Sequence, residues 1–320
     1  MSLSYEYAVG SVRAKETKLL SNQDMDMLAA CKTVDELVGA LSDKGFNGNT
    51  VDEMLENRIT ELWSYVGKVS PDMTQFDLLL CRNDLHNIKA VIKGVLSGRQ
   101  YKHLLISPST VSTDDMIYAI EQRKFDTLPE WMSSAAAECY ELTARQSDAR
   151  LGDAVIDRTA TEHILALAKS RSAVIADYYN AIAFYANVKI ALRSARSTAD
   201  SFYLGKALSI VEGMDNGSVI KATLAGEEEL LKHLKKLDYY GCSGAIEAYA
   251  KSPSDFERYV DDRLMQVALA CRYISEGIDP LFGYIIAIEA ENKAIHIIKS
   301  GIATGRPQHI IRERLRRLYG

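Results

Sequence analysis

A chain of 320 residues with 47% hydrophobic and 25% charged content is long enough to bury one large core or two to three small ones, and has the composition of an ordinary globular protein. Its net charge of −5 offers no global attraction for nucleic acid. The 6 prolines and 19 glycines are too few to interrupt long helices often.

The opening stretch, MSLSYEYAVGSVRAKE, has no secretory apolar core, so no export signal is expected. A short helix is predicted over 34–45 (VDELVGALSDKG), with Thr33 as N-cap and acidic residues in its first turn. The segment 77–94 (DLLLCRNDLHNIKAVIKG) ends a long helix. A second short helix, 113–124 (TDDMIYAIEQRK), starts at Ser112 or Thr113, and its Asp114-Asp115 pair belongs to a helical first turn rather than to a metal. No motif stands out between about 125 and 170. Over 172–196, Val174, Tyr178, Ile182, Tyr185, Val188, Leu192 and Ala195 recur at three- and four-residue steps, the pattern of an amphipathic helix. In 226–237 (GEEELLKHLKKL) three glutamates precede the lysines, which matches the helix dipole, and Glu228 can pair with Lys232. Pro71, Pro253 and Pro280 are each read as opening a helix. Asp261-Asp262 lacks a third acid one turn away and reads as a solvated helix face. A basic amphipathic helix is expected at about 308–319, with Arg312, Arg314, Arg316 and Arg317 opposing only Glu313.

The elements repeat. Superposing 77–94 on 177–194 aligns Asp77 with Asp177, Asn87 with Asn187, Lys89 with Lys189 and Lys93 with Arg193, and apolar positions agree as well. A looser copy, 279–301, places Lys293 104 residues after Lys189, but its Asn292 is displaced by one position. The chain therefore reads as all-α, with three tandem helical repeats of about 100 residues: about 25–100, 110–205 and 220–310. Connectors are short, so 1–320 is expected to form a single rigid helical body.

Nothing in the sequence writes a catalytic site. The 6 histidines show no H-x-x-x-H or H-E-x-x-H spacing, and G-x-G-x-x-G, the phosphate loop and G-x-S-x-G are absent. Cys31, Cys81, Cys139, Cys242 and Cys271 are dispersed without C-x-x-C and read as reduced, mostly buried thiols. No cofactor, metal or small-molecule substrate is expected. The longest uncharged apolar run near the end, PLFGYIIAI, is too short to span a bilayer. Lys89, Lys189 and Lys293 lie at the edges of apolar stripes, which suits lysines whose stems pack at a helix seam. The other reading is a lysine-lined surface that receives a partner. For Arg312 and Arg316 on the terminal helix, the readings are favourable charge at a helix C-terminus or a docking face for an acidic partner.

Three stretches carry a resemblance: YEYAVGSVRAKETKLLS (5–21), NDLHNIKAVIKG (83–94) and DPLFGYIIAIEAENKAIHIIKSGIATGRPQHIIRERLRRLYG (279–320). In their order and over nearly the whole length, the chain resembles the C subunits of the prokaryotic V-type (A-type) ATPase, the family of the eukaryotic vacuolar ATPase d subunit. The resemblance implies a pseudo-threefold funnel of three helical units. It implies a non-catalytic rotor connector that joins central stalk subunits to the membrane rotor ring, peripherally and on the cytoplasmic side, for ATP-coupled ion transport. Two other accounts are a helical-repeat adaptor for soluble partners and an all-helical isoprenoid-type enzyme, the latter requiring a second carboxylate cluster opposite Asp261-Asp262.

Overall fold

The structure is a computed structural model that describes residues 4–146, 149–197 and 200–320. Parts of the opening stretch and of the 125–170 segment discussed above lie outside the described residues. In chain order the helices are α1 (Tyr5–Glu16), α2 (Asn22–Ala29), α3 (Val34–Asp43), α4 (Val51–Val69), α5 (Asp77–Ser97) and α6 (Thr113–Glu121). There follow α7 (Glu130–Gln146), α8 (Ala149–Lys169), α9 (Ala173–Ala195), α10 (Ser201–Ala207), α11 (Asn216–Leu224) and α12 (Glu227–Leu234). The chain ends with α13 (Cys242–Lys251), α14 (Pro253–Ala268), α15 (Asp279–Ala303) and α16 (Gln308–Glu313). No strand occurs among the described residues, so the all-α expectation holds.

Local chemistry accounts for the helix starts. Thr33 accepts from the Glu36 N–H at 3.1 Å and Ser172 from the Ile175 N–H at 3.1 Å, so both polar residues satisfy a donor that the first turn leaves open. Ser21 and Asp24 form a reciprocal capping box at α2. Pro253 and Pro280 stand in first turns, where the missing N–H costs nothing. Pro71 differs from its expectation. It follows the end of α4 by two residues, the other place where proline is favoured because it cannot continue a helix.

The backbone gathers into two compact units, one formed by residues 1–73 with 244–320 and the other by 74–243. In the first, α15 is the central element. From Pro280 to Ile288 it is buried all round, as a core helix must be. Further along, Ala294, Ile295 and Ile298 meet Leu20, Met25, Leu28, Leu37, Leu41, Met54 and Leu55 from the N-terminal helices, together with Ile311 and Leu318 from the C-terminal end. In the second unit, Ile88, Val91 and Ile92 of α5 share a core with Met116, Ala119 and Ile120 of α6 and with Met132, Ala136 and Cys139 of α7. α9 buries more than the single stripe read from its sequence: Ile175, Tyr179, Ala181, Phe184 and Ala191 are covered as well, because α8, α10, α11 and α12 pack around it. Among the described residues no helix is long and apolar enough to cross a membrane.

The terminal helix is shorter than expected. α16 stops at Glu313 instead of reaching 319. Leu318 and Tyr319 are instead buried in a tail without regular secondary structure, which contacts from other elements hold in place. Asp262 accepts from the Arg317 N–H at 2.7 Å, and Arg272 donates to the Tyr319 carbonyl at 3.0 Å. Gly283 on α15 makes room for the tail, since a Cβ there would lie 2.5 Å from the Tyr319 hydroxyl and 2.6 Å from Cys271. These partners replace the intrahelical bonds that the amphipathic spacing alone had favoured.

Candidate partner-binding site

Helices α5, α9 and α15 each carry a buried polar side chain that grips a loop backbone. On α5, Asn87 donates from Nδ2 to the Ile106 carbonyl at 2.9 Å and accepts from the Ile106 N–H at 2.8 Å. On α9, Asn187 makes the same pair with Ser209, at 2.8 and 3.0 Å. One carboxamide thus satisfies both polar groups of one loop residue, because it carries a donor and an acceptor side by side. In each case the gripped loop leads into the next short helix, α6 or α11.

On α15 the lysine register resolves the displaced asparagine. Lys293 lies 104 residues after Lys189, and the same step from Asn187 arrives at Glu291, not Asn292. Glu291 does hold a loop backbone: its Oε1 accepts from the Leu20 N–H at 2.7 Å, just before α2. A carboxylate cannot donate, so the carbonyl half of the clasp is missing. Its negative charge is matched by Arg58, which pairs with Glu291 and donates at 3.2 Å to Asn292 Oδ1. Burial holds the Glu291 carboxyl above its ordinary value, with Arg58 offsetting only part of the rise. Asn292 itself donates at 3.4 Å to the Leu55 carbonyl. A second polar grip accompanies the first on two helices. Asp84 on α5 accepts from the N–H groups of Thr110 and Val111 at 3.0 and 3.1 Å. Asn180 on α9 pairs with both backbone groups of Glu212, at 3.3 and 3.0 Å. Sequence reading singled out Asn87 and Asn187 as repeated residues, but gave them no role and missed Glu291.

The basic residues nominated from sequence fall into separate settings. Lys89 is half-buried and pairs with Asp157 of α8 at 2.6 Å, and one turn on Lys93 pairs with Asp153 at 2.6 Å. Lys189 lies half-buried on α9. Lys293 and Arg316 converge on one carboxylate, Asp261 of α14, at 2.6 and 2.8 Å. Arg312 is exposed and lies 3.5 Å from Asp26. The Asp261-Asp262 pair therefore differs from the solvated face read in the sequence. The Asp261 side chain is only 18% exposed, and the two carboxylates bind the C-terminal tail from α14.

Burial raises the thiols of Cys81, Cys242 and Cys271 to about 12 and that of Cys139 to about 11, which keeps them protonated and unreactive near neutral pH.

Residues 8–314 match the family described as ATP synthase (C/AC39) subunit. The C subunit of the A-type ATP synthase from Methanocaldococcus jannaschii is 22% identical over 345 residues, covering 96% of this chain and 85% of that protein. Its counterpart from Pyrococcus horikoshii, also the C subunit of an A-type ATP synthase, is 23% identical over 245 residues, covering 71% of this chain and 66% of the relative.

Proposed function

Since the chain belongs to the ATP synthase (C/AC39) subunit family, a family of non-catalytic subunits of A/V-type ATPases, we propose that it is the connector of the central rotor, joining the central stalk to the membrane rotor ring. It transmits torque between ATP chemistry and ion movement on the cytoplasmic side of the membrane. The three repeats, about 25–100, 110–205 and 220–310, and the pseudo-threefold funnel belong to the same proposal, as do Lys89, Lys189, Lys293 and Arg312 as partner-facing residues, whereas Arg316, committed to Asp261, anchors the tail. The observation that carries the reading is the family match over residues 8–314. The clasps support it physically. A part that carries torque must keep its loops from slipping along its long helices, and buried two-way hydrogen bonds to loop backbone do this better than apolar contact, which is non-directional.

The test is deletion of the chain from its host complex. ATP hydrolysis by the detached catalytic head is expected to continue, while ion transport coupled to it is lost. Coupled transport that persists without the chain overturns the connector reading and favours the helical-repeat adaptor for soluble partners.

A further inference from the structure

We propose that a groove on the first unit, between the start of α14, the outer face of α15 and the C-terminal tail, receives an acidic segment of a neighbouring subunit in which carboxylates alternate with apolar side chains. This rests on the assembly reading above and names the partner chemistry of one part of it.

The groove has a volume of about 490 Å³. Lys293, Arg314 and Arg316 converge in it, and Pro253 and Ile297 supply an apolar floor. Two carboxylates oppose the three cations. Asp261 is shared by Lys293 and Arg316, and Glu257 lines the same groove. One positive charge is left over, before any contribution from His296 at the rim. Arg316 is only 11% exposed and committed to Asp261, so it belongs to the tail's anchorage. Lys293, 53% exposed, and Arg314, which makes no ion pair among the described residues, are the two that an incoming anion can reach. A bare phosphate would use the cations and leave the apolar floor unoccupied. A peptide with carboxylates beside apolar side chains uses both, and planar guanidinium suits carboxylate recognition. With a net charge of −5 the whole chain does not attract anions, so selection comes from this local cluster.

The test uses the intact membrane complex carrying Ser300→p-benzoylphenylalanine, because exposed Ser300 lines the groove. Irradiation is expected to link the chain to one segment of another subunit that contains at least two Asp or Glu residues. The double variant Lys293→Gln/Arg314→Gln should lower the crosslink yield about tenfold, and Lys293→Arg/Arg314→Lys should restore it. Arg316 still neutralises Asp261 in the double variant, so the tail stays anchored, and the circular dichroism spectrum is the folding control. If the chain is present in the complex but crosslinks to no segment, or to one without acidic residues, the inference fails and the assembly reading stands. Binding of inorganic phosphate to the purified chain, lost in the double variant and unaccompanied by an acidic crosslink, would make the groove a phosphate site and likewise overturn it. Absence of the chain from the purified complex overturns the assembly reading and this inference together.

Discussion

Asn87 and Asn187 each offer an amide to a loop, whereas Glu291 offers a carboxylate, and the three positions respond differently to mutation for that reason. Asn187→Ala leaves the N–H of buried Ser209 without its partner, while the Ser209 carbonyl keeps the Asn216 amide at 3.1 Å. One unsatisfied buried group predicts a loss of about 2 kcal/mol, measured by chemical denaturation. Glu291→Ala removes the acceptor for Leu20 and also strands Arg58, which is 16% exposed and stacked on Phe46. Stranding a largely buried charge predicts a larger loss, about 4 kcal/mol. A milder effect than that of Asn187→Ala would show that the carboxylate clasp contributes less than its geometry suggests. Asp24 provides a pH test. Lys44 first, and then Ser21, hold its carboxyl down at about 2, below its ordinary value of 3.8. A folded-state pKa depressed in this way adds stability above the unfolded value, and that stability disappears as pH falls from about 4 to about 2. Asp24→Asn should therefore be less stable than wild type at pH 7, with the difference closing near pH 2. A constant difference across that range would remove the ionised carboxylate as the cause.

At the scale of elements, helix periodicity and capping chemistry were readable where side-chain spacing and local hydrogen bonds decide the outcome. Thr33, Pro253 and Pro280 sit where the pattern puts them. The C-terminal tail was not readable. Leu315 and Leu318 have helical spacing, but the backbone beyond Glu313 is held by Asp262 and Arg272, which come from distant parts of the sequence. The role of Asp261-Asp262 was hidden for the same reason: two adjacent acids on a helix look solvated until the tail folds back on them. Asp261→Ala should loosen residues 314–320, because Arg316 loses its carboxylate while remaining largely buried. Faster tryptic cleavage after Arg314, Arg316 and Arg317, with faster amide exchange at Leu318 and Tyr319, is the expected outcome. Unchanged cleavage would mean that Asp262 and Arg272 hold the tail by themselves. Close packing sets a second limit at this scale. A Cβ on Gly94 of α5 would lie 2.1 Å from the Tyr101 ring, so Gly94→Ala must displace that ring, with a predicted loss of about 2 kcal/mol in a urea titration.

At the scale of the molecule, the sequence reads as units laid out in chain order, but the packing of the first unit joins its two ends. Met25, Leu37, Leu41 and Met54 find their partners in Ala294, Ile295, Ile298, Ile311 and Leu318, more than two hundred residues away. No local pattern records such a pairing, because periodicity states which face is apolar and not what covers it. The second unit is continuous from Thr74 to Ser243 and encloses its own core around α5, α6 and α7. This difference leads to a folding prediction. Residues 74–243 expressed alone should give a helical spectrum and a cooperative thermal transition, since the core cluster around α5, α6 and α7 is drawn entirely from that segment. Residues 1–73 alone should not, because without 244–320 their apolar faces stay in water and cannot offset the entropy of ordering the helices. Adding the separate 244–320 fragment to 1–73 should recover helicity and slow amide exchange at Leu37, Leu41 and Met54. If residues 1–73 unfold cooperatively by themselves, with those amides protected, then α15 is not the element around which that half of the protein folds.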